Sequence, residues 1–248
     1  MKKGFFSICN LFKIDWISTI IINFTKLPFR QALKIPILLY KAKVNFIGGG
    51  IKIDSSNISF GMIKLGIKHE PGVISKGFCL NNRGSITFKG AGVVGNGSVI
   101  IVKKGGHIVF GRNFGITGDF TLHCHKSIVF GDNLSCSWSV SICDTDFHQY
   151  LNVKTGETLP VVKKIVIGNN VWLCQRVLVL KGTVIPDWCV IAAMSLVNKE
   201  YHCPNFSVIA GIPAKVLNRQ IQRCDIAAIN LYDKYMITSG LHLFNGVP

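Results

Sequence analysis

Cut into sixes from Ile167, the chain reads IGNNVW, LCQRVL, VLKGTV, IPDWCV, IAAMSL and VNKEYH. Every piece opens on an aliphatic residue: Ile167, Leu173, Val179, Ile185, Ile191 and Val197. The fifth positions (Val171, Val177, Thr183, Cys189, Ser195 and Tyr201) are small or β-branched except the last. A period of six fits neither a helix, at 3.6, nor an alternating strand, at 2. It fits a parallel β-helix of hexapeptide repeats, in which three hexads make one coil of 18 residues. The aliphatic residue points inward and the small one sits near a corner. No coil can bury its own faces, so stability comes from stacking.

The pattern continues upstream with interruptions. Ile58-Ser59-Phe60-Gly61, Ile86-Thr87-Phe88-Lys89, Ile108-Val109-Phe110-Gly111, Ile128-Val129-Phe130-Gly131 and Ile165-Val166-Ile167-Gly168 repeat one theme. Phe110 lies 22 residues after Phe88 and Phe130 lies 20 after Phe110, each one coil with a small turn insertion. The β-branched residues and glycines are too dense for helices. The solenoid is therefore expected over about residues 46–215. Residues 1–45, with Pro28 and Pro36, lack the frame and read as short amphipathic helices capping the open first coil. Residues 216–248 are expected to form a C-terminal helix or arm.

The frame breaks once at length. The next clear hexad start after Ile142 is Ile167, 25 positions on where one step needs six, so 19 residues are surplus. A long excursion from a rigid scaffold is usually functional. It opens with Asp144-Thr145-Asp146-Phe147-His148. If extended, Asp144, Asp146 and His148 share one face. A carboxylate can orient an imidazole, and a neutral histidine is a base near pH 7. A solvated polar turn is the plainer reading of the same residues.

Composition and charge narrow the classes. The 248 residues are 48% hydrophobic and 16% charged, which excludes a disordered chain. The mean hydropathy of +0.37 raises the question of membrane spans. The best candidate, Trp16 to Thr25, has ten residues where about 20 are needed. The start Met1-Lys2-Lys3-Gly4-Phe5-Phe6 lacks a clean cleavage site, and Lys13 and Asp15 interrupt its apolar run. The chain thus reads as soluble and cytoplasmic. Lys and Arg exceed Asp and Glu by 28 to 12, and residues 1–45 hold eight basic residues against one acid. That favours a phosphorylated or anionic partner, with peripheral contact between residues 1–45 and an anionic inner membrane face as one reading. Lys103-Lys104 has no interleaved aromatics, so nucleic acid is not indicated. Nine scattered cysteines with no CxxC suit a reducing compartment.

Four segments together carry a family resemblance: Ser137 to His148, Ile165 to Leu173, Val190 to Lys199, and Ala210 to Val216. Over about residues 25–217 the chain resembles the hexapeptide-repeat, left-handed β-helix acyltransferases. Within them it is similar to bacterial O-acetyltransferases of surface polysaccharide and lipopolysaccharide. The resemblance implies left-handed coils, a homotrimer with sites between subunits, and acetyl-CoA as donor without a metal. It implies direct transfer to a sugar hydroxyl of a glycan or its precursor, with His148 as general base and Asp144 and Asp146 beside it. For the donor it implies Trp172, the Ala193-Met194-Ser195 turn, Lys199 and Lys215, with Arg219 assisting. Three departures stand out: Met194 in place of glycine, Leu173-Cys174-Gln175-Arg176 in place of Ile-Gly-small-Gly, and Ile212 in place of asparagine before Pro213.

Trp138, His123 and His125 are expected near the acceptor. His123-Cys124-His125 could in principle ligate zinc, but no third ligand is evident nearby. Cys143 beside His148 offers a Cys–His nucleophile that this fold does not need. N-acetylation of an amino sugar and a non-catalytic binding or assembly subunit are the competing readings.

Overall fold

The structure is a computed structural model that describes residues 12–46, 48–68 and 76–221. Successive strands rotate through three sheets, making a three-sided left-handed prism. The first sheet has nine strands, from Ile37–Leu39 to Ala214–Gln220; the second has seven, from Ala42–Phe46 to Leu196–Val197. The third has six, between Gly50–Ile53 and Val184–Ile185. All ladders within the stack are parallel except the last, where Ser207–Gly211 and Ala214–Gln220 form an antiparallel hairpin.

The hexad reading meets the structure over residues 167–202 but not at Ile58-Ser59-Phe60-Gly61, which is a loop with Phe60 49% exposed; Gly50–Ile53 takes that place in the third sheet. All six first-position aliphatics and all six fifth-position residues from Val171 to Tyr201 are buried. In the second sheet Leu80, Ile100, Leu122, Ile142, Val179 and Val197 are successive register partners, one per coil. Each such buried side chain contributes about 1.5–3 kcal/mol. Phe88, Phe110 and Phe130 stack at 5.3 and 5.1 Å between ring centroids, as their spacing predicts.

The fourth position of the regular hexads is a corner. Asn170, Arg176, Gly182, Trp188 and Met194 there all have φ between 56° and 78°. The chain turns by roughly a third of a revolution at each, and a left-handed residue makes the turn without breaking the ladders on either side. The three corners of the prism are therefore columns, one between each pair of sheets.

Strands begin at Ile37, inside the segment expected to be cap. The run Ile37-Leu38-Leu39 is buried throughout and shows no alternation that a hexad frame could catch. Before it lie helix α1, Trp16–Lys26, and the single turn α2, Phe29–Ala32. Asp15 caps α1 by accepting from Ser18 N–H at 3.1 Å. Residues 216–220 are strand rather than helix, paired to the edge that Ser207–Gly211 would otherwise leave open. The rest of the expected C-terminal helix or arm lies outside the described residues.

Candidate active site

The excursion leaves the corner between the second and third sheets, after Ser141–Cys143, and returns at Ile165–Ile167. It is a short antiparallel arm. Thr145 bridges Val162, and Tyr150–Leu151 pairs with Thr158–Leu159. Asp146 N–H donates to Val161 O at 3.0 Å, and Gln149 Nε2 donates to Leu159 O at 2.6 Å. Phe147, Tyr150, Leu151, Val153 and Leu159 are all exposed on it.

The expected shared face of Asp144, Asp146 and His148 does not form. Phe147 has φ 63°, which turns the chain between Asp146 and His148 and ends the alternation. Asp144 is fully buried, and its carboxylate accepts from the N–H groups of His125, Lys126 and Ser127 at 2.7, 2.8 and 2.9 Å. It holds the corner of the preceding coil. Asp146 forms an ion pair with Lys181, whose ammonium also donates to Pro160 O. His148 is exposed, and neither carboxylate is hydrogen-bonded to it.

His123 and His125 lie directly under this arm. Each meets the Phe147 ring edge-on, at 5.6 and 5.3 Å between centroids. Both are partly buried, not exposed as the strand alternation suggests, because Phe147 covers them. Burial lowers both imidazole pKa values; Lys103 adds to this at each, while Asp144 partly offsets it at His125. Both imidazoles are thereby held toward the neutral form. His125 Nε2 is buried without a hydrogen-bond partner. Cys143 Sγ donates to Thr145 O at 3.1 Å, and burial pushes its pKa up, so the thiol is not an activated nucleophile.

The donor candidates fall elsewhere. Arg176, Ala193 and Met194 occupy the corner between the first and second sheets, and Trp138, expected on the acceptor side with His123 and His125, stands at that corner too, across the second sheet from both histidines; Arg176 N–H donates to Trp138 O at 2.9 Å. Met194 is 60% exposed with its backbone fixed by Gln175 O at 2.9 Å. Ser195 is buried, and its hydroxyl accepts from Gly211 N–H at 3.1 Å, so it is not open to a ligand as expected. Trp172 lies in the first sheet, where its indole N–H donates to Ser137 Oγ at 3.2 Å. Lys215 and Arg219 are exposed on the terminal strand of that sheet. Lys199 is exposed at the corner from which the arm departs, one coil beyond Lys181.

Within one chain, then, the arm with His148 and the corner with Met194 stand at opposite edges of the second sheet. Two residues of the arm's construction escape a sequence reading. Lys181 shows as an ordinary surface lysine, and nothing local ties it to Asp146, 35 positions earlier. Phe147 shows as a hydrophobic residue in a polar turn, and that misfit was a signal.

No family model matches the chain. Galactoside O-acetyltransferase of Escherichia coli K12 is 35% identical over 46% of this chain and 54% of its own length. A polysialic acid O-acetyltransferase of Neisseria meningitidis is 28% identical over 55% of each. The chain spans about half the length of the curated relatives it matches. The crystal structure of the polySia-specific acetyltransferase NeuO matches with TM-score 0.53, covering 84% of this chain and 90% of that one at 21% identity. The prism therefore shares the fold of that acetyltransferase. In sequence the chain is similar to O-acetyltransferases of galactosides and polysialic acid. Among the described residues no group of three or more His, Cys, Asp or Glu is arranged to hold a metal ion, and no helix is long and apolar enough to cross a membrane.

Proposed function

We propose that the protein is an O-acetyltransferase that moves an acetyl group from acetyl-CoA to a sugar hydroxyl of a surface polysaccharide or its precursor. The observation that carries this reading is the single long excursion. It presents His148 in the open on an arm otherwise pinned to the stack through Asp146 and Lys181. An imidazole in its unprotonated form can accept the hydroxyl proton as the oxygen attacks the thioester carbonyl. The same proton can then go to the departing thiolate. Backbone N–H groups are the natural stabilisers of the tetrahedral oxyanion. No covalent acyl-enzyme is needed, since Cys143 keeps its proton.

The donor would lie along the corner of Trp138, Arg176 and Met194, bordered by Trp172. The residues suit it. Exposed Lys215 and Arg219 offer positive charge to its phosphates, Lys199 can join them only from the arm's corner of a neighbouring copy, and Ala193 and Met194 present an exposed apolar turn to its pantetheine. Ser195 would act from behind, by holding Gly211. His123 and His125 would shape the acceptor side together with Phe147. The assembly we propose is a homotrimer. What supports it is that the arm and the donor corner lie at different edges of one chain, so two neighbouring copies are needed to bring them together. The exposed apolar residues of the arm also need a surface to cover them.

Turnover of His148→Ala with acetyl-CoA and a galactoside or oligosaccharide acceptor tests the reading. General base catalysis is worth about 10²–10⁴-fold, so kcat should fall by that factor while the affinity for acetyl-CoA stays within about threefold. Near-normal turnover in His148→Ala, with loss in His125→Ala, would move the base to the strand beneath the arm.

A further inference from the structure

Helix α1 is built inside out. Its inward face is half polar. Thr19 and Asn23 are fully buried with Ile22, and they satisfy the edge of the first coil. Asn23 Nδ2 donates to Ile37 O at 2.8 Å, Ile37 N–H donates to Asn23 Oδ1 at 3.2 Å, and Leu39 N–H donates to Thr19 Oγ1 at 3.0 Å. The outward face is apolar. Trp16, Ile17, Ile20, Ile21 and Phe24 recur at i, i+1, i+4, i+5 and i+8 and are 40–76% exposed. Phe29 and Leu33 extend the patch at 68% and 60%. The helix cannot roll this stripe into the core, because doing so would strand the edge groups that Thr19 and Asn23 satisfy.

A contiguous exposed apolar patch rimmed by polar residues marks an interaction surface. Its rim is of one sign. Lys13, Arg30 and Lys34 are exposed in the segments on either side of the helix, Lys26 is half-buried at its end, and Asp15 is the lone acid between residues 12 and 46. Asp15 is already engaged, accepting from both the N–H and the hydroxyl of Ser18. A second copy seated face to face would bring like charges together with no counter-charge. Anionic lipid headgroups would neutralise them, each such lysine or arginine near the surface being worth about 1 kcal/mol.

We propose that the outward face of α1 is a docking surface for an anionic lipid bilayer. The 11-residue helix is too short to cross a membrane and is suited to lie in its plane, with the isoleucines and aromatics at the headgroup boundary and the basic rim among the phosphates. The docking is reversible, and it is independent of the chemistry proposed for the arm.

Co-sedimentation of the full chain with vesicles of phosphatidylglycerol, and separately of phosphatidylcholine, tests it. The protein should favour phosphatidylglycerol by at least about tenfold and release as salt is raised. The double variant Ile17→Ser, Ile21→Ser should lose at least about tenfold in partition, since both side chains leave water on docking. Replacing Lys13, Arg30 and Lys34 with glutamine should remove the preference for phosphatidylglycerol. All five positions are exposed, so circular dichroism should show an unchanged stack. Equal partition onto both vesicles, or partition that the serine variant leaves intact, would overturn the proposal. So would a serine variant that binds vesicles normally but sediments as a smaller assembly, which would make the face a subunit contact.

Discussion

Asp144 and Met194 show how one residue's surroundings decide its role. Asp144 sits four positions before His148 in sequence, yet its carboxylate is fully buried and accepts three backbone N–H bonds from the preceding coil. An asparagine there would turn an N–H toward N–H donors. Asp144→Asn is therefore expected to cost about 2–3 kcal/mol of unfolding free energy, seen as a lower denaturation midpoint. An unchanged midpoint with a lost kcat would return Asp144 to the catalytic role. Met194 stands at a corner with φ 58°. A β-carbon costs roughly 1–2 kcal/mol in that region, and glycine's greater freedom when unfolded recovers only part of it. The side chain is mostly exposed, so little burial is lost. Met194→Gly is expected to stabilise the fold by up to about 1 kcal/mol by the same denaturation measurement.

The arm is the element whose mobility matters most. Its own hydrogen bonds are few and exposed, and Lys181 joins it to the next coil through Asp146 and Pro160. The lysine is mostly buried there, which strengthens the pair relative to a surface one. Lys181→Met keeps the stem and deletes the charge. Hydrogen exchange at the amides of residues 145–162 should speed up by about tenfold while the coils keep their protection. Turnover should fall with it, since His148 would lose its fixed approach to the acceptor. Exchange unchanged across the arm would show that the backbone bridge at Thr145 and Val162 suffices to hold it. The order of this element was not legible beforehand. Its existence was, because the hexad frame fails there and nowhere else for so long.

At the scale of the whole molecule, a stack of coils has two open ends and three flat sides. One end is closed by Thr19 and Asn23 of α1, the other by the hairpin of Ser207–Gly211 with Ala214–Gln220. The sides and the arm are closed by no part of the described chain. Light scattering at micromolar concentration should return three times the chain mass of 27.3 kDa. A monomer mass would leave the arm and the donor corner at separate edges and would count against a shared site.

What the sequence determined is whatever repeats. An aliphatic residue every six positions can be buried in only one way, so the coils, their register and the phenylalanine stack were legible from spacing alone. The frame's one long failure likewise marked the arm, and it was the resemblance to the acyltransferases that pointed to His148 within it. The tertiary structure decided whatever depends on residues far apart. The Asp146–Lys181 tie, the burial of Asp144 under residues 125–127, and the cover of Phe147 over His123 and His125 join positions that no period relates. The inward polar face of α1 is of the same kind. Thr19 and Asn23 turn inward because a strand edge needs hydrogen-bond partners, and that edge exists only once the first coil has closed.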